Sequence, residues 1–346
     1  MRRLFDHFLH SAYAAMRLTE SYLDVFPPSP ALPAVSTAVL STACHADEWF
    51  VAQYPALVAA VTMAADAGLA GTAWQLGWML TSFQLRKGYW EDHAQAQQSA
   101  LDAARGAADP VGEAHAVLAM GLGYARAGRD DDARAALRQS LILLMRLGTH
   151  PLSEAAAHRG LCWLDERANR PTLALGHAQR AHELHMAAGD KRSQASTLND
   201  VGYLYALNGD YELALEYCGP ALAELQEFDD QGAEACAWHS LGFIYQGLRS
   251  HQRAIACYVR SLELTRELAD RFNEADTLGS LGDVYHEAGN VAAARQAWRY
   301  ALRIFEEIEH PDAERVRDKL RSFHGSSLPI VPVSLPGGSL ELHRAG

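Results

Sequence analysis

Lysine is nearly missing from this chain. Only Lys87, Lys191 and Lys319 stand among 30 basic residues, and 42 acidic residues give a formal net charge of -12. That balance offers no long-range attraction to a polyanion, which excludes sequence-independent nucleic-acid binding. Cysteine is also sparse: Cys44, Cys162, Cys218, Cys236 and Cys257 form no CxxC pair, and their total is odd. They read as reduced core residues of a cytosolic protein, not as a disulfide framework or a metal ribbon. No apolar run approaches the ~20 residues that span a bilayer. The opening MRRLFDHFLH is interrupted by Asp6, His7 and His10, so no signal peptide is read there. A Gly-rich phosphate loop ending in Lys-Ser or Lys-Thr does not occur, which removes nucleotide binding of that kind. These absences predict a soluble, cytoplasmic chain with no cofactor, no metal, no membrane span and no direct nucleic-acid contact.

What the chain does have is a repeat. Ala133, Ala174, Ala214, Ala254 and Ala294 recur at intervals of 41, 40, 40 and 40 residues. Such a period marks a stacked array of supersecondary units. One unit reads LGFIYQGLRSHQRAIACYVRSLEL. Its Gly242 and Ala254 let neighbouring helices approach, and Tyr245 and Tyr258 fill the space beside them. Equivalent small residues are Gly121, Cys162, Gly202 and Gly282, and equivalent aromatic positions hold Tyr124, Asp165, Tyr205 and Tyr285. The third copy departs at both slots. A degenerate first copy with Trp90, His93 and Ala100 follows a long helix from Thr72 to Arg86, giving six hairpins. An amphipathic stretch from Asp312 to Leu320 would close the stack, as the ends of arrays require.

These residues resemble the tetratricopeptide repeat in a 40-residue form, over about residues 72 to 310. The fold class that follows is all-α, a right-handed superhelical solenoid preceded by an N-terminal helical segment. Residues 1–68 form that segment, with a Pro-rich linker at 26–44 carrying Pro27, Pro28, Pro30 and Pro33; 69–320 form the solenoid and its closing helix; 321–346 form a Pro/Gly/Ser-rich tail. The order LFDHFLHSAYAAMRL, Pro-rich linker, DEWFVAQYPALVAAV, AWQLGWMLTSFQLRKGYW and then the array is similar to the C-terminal part of AfsR/SARP-type bacterial transcriptional regulators. Those regulators carry a DNA-binding domain, a bacterial activation domain and an NB-ARC ATPase module ahead of the array. The resemblance implies a sensory or protein-binding region of a regulator, either excised from a longer chain or stand-alone.

In such arrays the first helix of each hairpin lines the concave side. Helical spacing then places Arg86, Arg126, Arg159, Trp163 and Arg167 toward the N-terminal half, and Asn199, Asp200, Tyr203, His239, Phe243, Asp283 and His286 farther along. Arginines can grip a carboxylate or phosphate by paired hydrogen bonds, with the aromatic rings supplying stacking area, or they pair with Glu166 and neighbouring acids as a solvated face. The expected partner is a peptide or protein segment, or a small acidic ligand with its acidic end at the arginines; a homodimer is also allowed. Two alternatives stand beside this one. His239, Asp200 and Tyr203 could form an acid/base group in an enzyme pocket on the wall, or the array could be a structural scaffold for oligomers. The His182-Glu183-Leu184-His185 sequence lacks HExxH spacing and reads as a surface pair, and Asp130, Asp131 and Asp132 read as acids at a helix N-terminus. The Pro/Gly/Ser-rich tail is read as flexible by default, with LPIVPVSLP as a segment that could lie extended in the groove and compete with a ligand.

Overall fold

The computed structural model describes residues 1–19, 26–148 and 150–322. Among the described residues every regular element is a helix: α1 (Arg2–Thr19), α2 (Ala43–Asp66), α3 (Ala70–Lys87), α4 (Trp90–Gly106), α5 (Pro110–Arg126), α6 (Asp130–Leu147), α7 (Pro151–Arg167), α8 (Pro171–Ala188), α9 (Lys191–Leu207), α10 (Tyr211–Glu227), α11 (Gln231–Gly247), α12 (His251–Glu267), α13 (Arg271–Glu287), α14 (Val291–Glu307) and α15 (Asp312–Ser322).

The boundaries follow from local chemistry. Proline opens α5, α7 and α8 at the first turn, where its missing N–H costs no helical bond. Asp109, Asp190, Asp230, Asp270 and Asn290 cap the helices they precede by accepting backbone N–H bonds. The three aspartates from 130 open α6, where the helix dipole favours negative charge. Left-handed residues end the helices at intervals of twenty or twenty-one, from Gly68 (φ 71°) to Glu309 (φ 53°). The 40-residue repeat is thus two nearly equal helices, each closed by a sharp turn.

Six hairpins, α3/α4 through α13/α14, stack in order, each first helix packing on the next first helix along most of the array. The alanine ladder is buried completely from Ala133 to Ala294. Gly242 permits close approach as its slot requires: a Cβ there would stand 2.7 Å from the Tyr258 ring. In the third copy Asp165, occupying the aromatic slot, is buried and bonded to Arg134 at 2.6 Å. An ion pair there does the space-filling that tyrosine does elsewhere. His185 is wholly buried on α8, and His182 bonds the Thr197 hydroxyl of α9 at 3.1 Å. The expected surface pair is corrected accordingly: α9 covers that side of α8. The tail segment LPIVPVSLP lies outside the described residues.

Two features decide the setting of the inner wall. First, α1 packs on both α2 and α3, the relation that α3 has to α4 and α5, so the N-terminal helices continue the stack and share its apolar core. Second, the array bends until its last elements touch its first hairpins. The Trp90 Nε1 donates to the Ile308 carbonyl at 2.8 Å, across 218 residues of sequence. Ile308 lies against Gly88 and Pro311 against Gly128, while Trp90 and Trp163 pack on the apolar cluster of α12–α15. Where the sequence led to an open concave wall, the structure has an inner face with its ends brought together.

Candidate ligand-binding inner wall

The wall is assembled from the first helices of the hairpins, with α13 meeting α5 and α7 from the opposite side. Arg126 of α5 is held there: its guanidinium lies 5.5 Å from the Trp163 ring centroid and 5.0 Å from that of Phe272, and it donates to Asn273 Oδ1 at 3.4 Å. Planar cation and rings stack readily in such a sandwich. Trp163 also faces Arg167 at 5.1 Å and meets Phe272 edge-on at 5.7 Å. Arg167 pairs with Asp130 at 3.4 Å and Asp312 at 3.7 Å. Arg159 donates to Asp200 at 2.9 Å and to the Ser196 hydroxyl at 3.0 Å.

Farther along, Tyr203 and Phe243 meet edge-on at 5.3 Å, and Tyr203 lies 6.5 Å from the His239 ring. The His239 Nε2 is 3.2 Å from the Ser280 hydroxyl and 3.6 Å from Asp276. Asp283 accepts from Lys319 of α15 at 2.6 Å and from Trp298 Nε1 at 3.0 Å. His286 lies 5.9 Å from the Trp298 ring.

Burial shifts several titrating groups on this face. Burial, then the nearby Asp276 and Asp200 carboxylates, push the Glu166 carboxyl up to about 8, with the Tyr203 hydroxyl as its hydrogen-bond partner. Burial holds His239 below the usual imidazole range and lifts the Tyr203 phenol. Cys236 is open to solvent, yet surrounding protein pushes its thiol up to about 11, and the charges acting on it include Arg126, Arg159, Asp200 and Asp270.

The shift on Glu166 has a consequence for stability. Between its ordinary value of 4.5 and about 8 the folded state holds a proton that the unfolded state lacks, so stability falls as pH rises through this window. Glu166→Gln should therefore melt above the wild type near pH 8.5 and close to it near pH 5. An equal difference at both pH values in thermal denaturation would contradict this.

Sequence spacing and structure agree unevenly residue by residue. Arg126, Trp163 and His239 contact α13 directly, Arg167 joins them through Trp163 and Tyr203 and Phe243 through His239, while Arg159 and Asp200 pair with each other. Arg86 is placed elsewhere, 3.1 Å from Asp47 of α2, because α2 flanks α3 on that side. Asn199 is buried in the packed layer, 3% exposed, so the accessible residue of that pair is Asp200. Asp283 pairs with Lys319 of α15, and both Asp283 and His286 meet Trp298, not the Arg126 sandwich. His239, Asp200 and Tyr203 do not converge: Asp200 serves Arg159, and Tyr203 faces Glu166. Ser280 and Asp276 both approach the same nitrogen of His239, whereas a nucleophile relay uses one ring nitrogen for the hydroxyl and the other for the carboxylate.

Spacing missed Phe272, Asn273 and Asp276, which complete the wall from α13. Arg126 and Asn273 are 147 residues apart. The one trace in the sequence is that Phe272 puts an aromatic ring where the two preceding copies have Gly232 and Arg192.

Residues 233–307 match the sequence profile of the tetratricopeptide repeat family. The solved structure of NprR in complex with its cognate peptide NprX superposes with a TM-score of 0.55 at 19% identity, covering 70% of this chain and 69% of that one. The fold is a tetratricopeptide-repeat solenoid. Regulatory protein AfsR of Streptomyces griseus is 25% identical over 358 residues, spanning 92% of this chain and 36% of the relative. The human SH3 domain and tetratricopeptide repeat-containing protein 2 is 26% identical over 62% of this chain and 17% of its own length. The chain thus spans little more than a third of the longer-matching relative. As a helical-repeat protein it belongs to an architecture that presents a binding surface.

Proposed function

We propose that this solenoid is the ligand- or protein-binding sensor region of a transcriptional regulator, working as a binding module and not as an enzyme. The observation that carries this reading is the inner wall itself, where arginines, aromatic rings and acids from successive hairpins lie along one face opposite α13. Its occupant is an extended peptide segment or a small acidic ligand. An acidic group entering beside Arg159 would exchange with Asp200 for the guanidinium, and the Arg126 sandwich would orient what lies next to it. The likeness to AfsR across most of the chain supports the regulatory role. Occupancy would then bias how partner domains are held, since a ligand shifts conformation only through its different affinity for the two states.

A fluorescence-polarisation screen of acidic and neutral synthetic peptides tests this. The double variant Arg126→Glu, Arg159→Glu should lose binding of the peptides that the wild type retains, by about 100-fold or more for charge-reversed contacts. Arg180→Glu, changing an exposed residue paired with its own helix's Glu183, should bind as the wild type does. Equal affinity of all three proteins for every peptide would refute the inner wall as the binding surface.

A further inference from the structure

Phe26 is the residue that leaves the Pro-rich strap and enters the array. Its ring lies 4.5 Å from His115, 5.2 Å from Trp74, 5.9 Å from His150 and 6.3 Å from Trp78, edge-on or tilted to each. Those four rings come from α3, α5 and the residue preceding α7, so three successive hairpins build one socket.

The walls of this socket hold their positions through contacts of their own. Trp74 Nε1 donates to Asp109 at 2.9 Å. His115 has both ring nitrogens engaged: Nδ1–H donates to the Val111 carbonyl at 2.7 Å, which leaves Nε2 to accept from the Ser153 hydroxyl at 2.9 Å. Trp74, Trp78 and His150 each lie within 5.6 Å of the His115 ring. None of these contacts needs Phe26. A rigid aromatic pocket fixed from behind is the form that side-chain docking sites take.

The strap is held far less firmly. Most of residues 27–42 are exposed. Asp6 accepts from the Leu32 amide at 2.5 Å, His7 bonds the Ser36 carbonyl at 2.5 Å, and Ser11 accepts from the Ala38 amide at 2.9 Å. Ala34 carries a left-handed backbone, φ 65°, in the turn closed by Val35 N–H to Leu32 O, a conformation that disfavours a residue with a Cβ. An aromatic anchor, adjoining prolines and a few backbone contacts made to side chains are how a docked extended peptide is held.

We propose that the Trp74/Trp78/His115/His150 socket is a peptide-docking site, filled in cis by Phe26-Pro27-Pro28, and that its partner is an extended segment with an aromatic residue ahead of proline. The strap is then a tethered competitor. Tethering gives it an effective concentration near the millimolar range, so a free peptide at micromolar concentration binds only when the anchor is weakened or the strap lifts.

The probe is a synthetic peptide of residues 26–38, with Trp74 and Trp78 emission as the readout. The full chain carrying Phe26→Ala should bind this peptide about tenfold or more tighter than the wild type, and a peptide lacking the phenylalanine should not bind. Phe26→Ala protein with unchanged helical circular dichroism that binds no better than wild type would overturn the proposal. Hydrogen exchange of the wild type supplies a second arm that holds even if the variant misfolds. The Leu32 and Ala38 amides should exchange well before the helix amides around Ala254; exchange only through global unfolding would equally overturn it.

Discussion

Trp298→Ala is expected to destabilise the protein by about 4 kcal/mol in chemical denaturation, in the range of large aromatic deletions from a core. Trp298 is 2% exposed, belongs to the cluster that includes Tyr258, Phe272 and Phe305, and fills the space left by Gly282. Its Nε1 donates to Asp283 Oδ1 and to the Gly279 carbonyl. Trp298→Phe keeps much of the ring but loses those bonds, and should cost about 1–2 kcal/mol. In an open array such a loss would melt the last hairpins separately. Here the C-terminal elements touch the first hairpins, so one cooperative transition shifted to lower denaturant is expected. A loss below about 1 kcal/mol for the alanine variant would mean the cluster is not packed as described.

Ile308→Asp should open the contact between the two ends. Ile308 is 7% exposed against Gly88, and its carbonyl receives the Trp90 indole N–H. A carboxylate there must either stay buried without a partner or pull the seam apart, and both cost about 3 kcal/mol or more. Small-angle scattering should then give a larger radius of gyration than the wild type, with faster hydrogen exchange in α4 and α13. An unchanged radius with unchanged stability would show that the seam contributes nothing to the closed form. The same variant should loosen the Arg126 sandwich, because Phe272 and Asn273 sit on the helix that the seam holds in place.

Much of the fold was legible because its causes are local and repeated. Ala254 predicts a close helix contact in any copy, and the caps at Asp230 and Asp270 recur at the same place in their units. Four regular copies of the glycine and tyrosine slots outvote the irregular third. Asp165 shows the limit: nothing nearby in sequence says that its partner is Arg134, thirty-one residues earlier. The wall was half legible for the same reason. Helical spacing located Arg126, Arg159, Trp163, Tyr203 and His239, since those positions depend only on their own helices. It could not supply Phe272 or Asn273 as their partners, nor anticipate Lys319 of α15 on Asp283, and it put Arg86 on a wall it does not line.

The sequence by itself determined a stack of helical hairpins: a 40-residue recurrence of small residues, with a turn every half period, leaves the helices little else to do than pack in register. Only the tertiary structure decided that the stack closes on itself and that a strap's phenylalanine fills an aromatic socket. Curvature accumulates from small rotations at every hairpin. Whether Trp90 meets Ile308 therefore depends on the sum of all those packings, and no single segment of the chain encodes that sum.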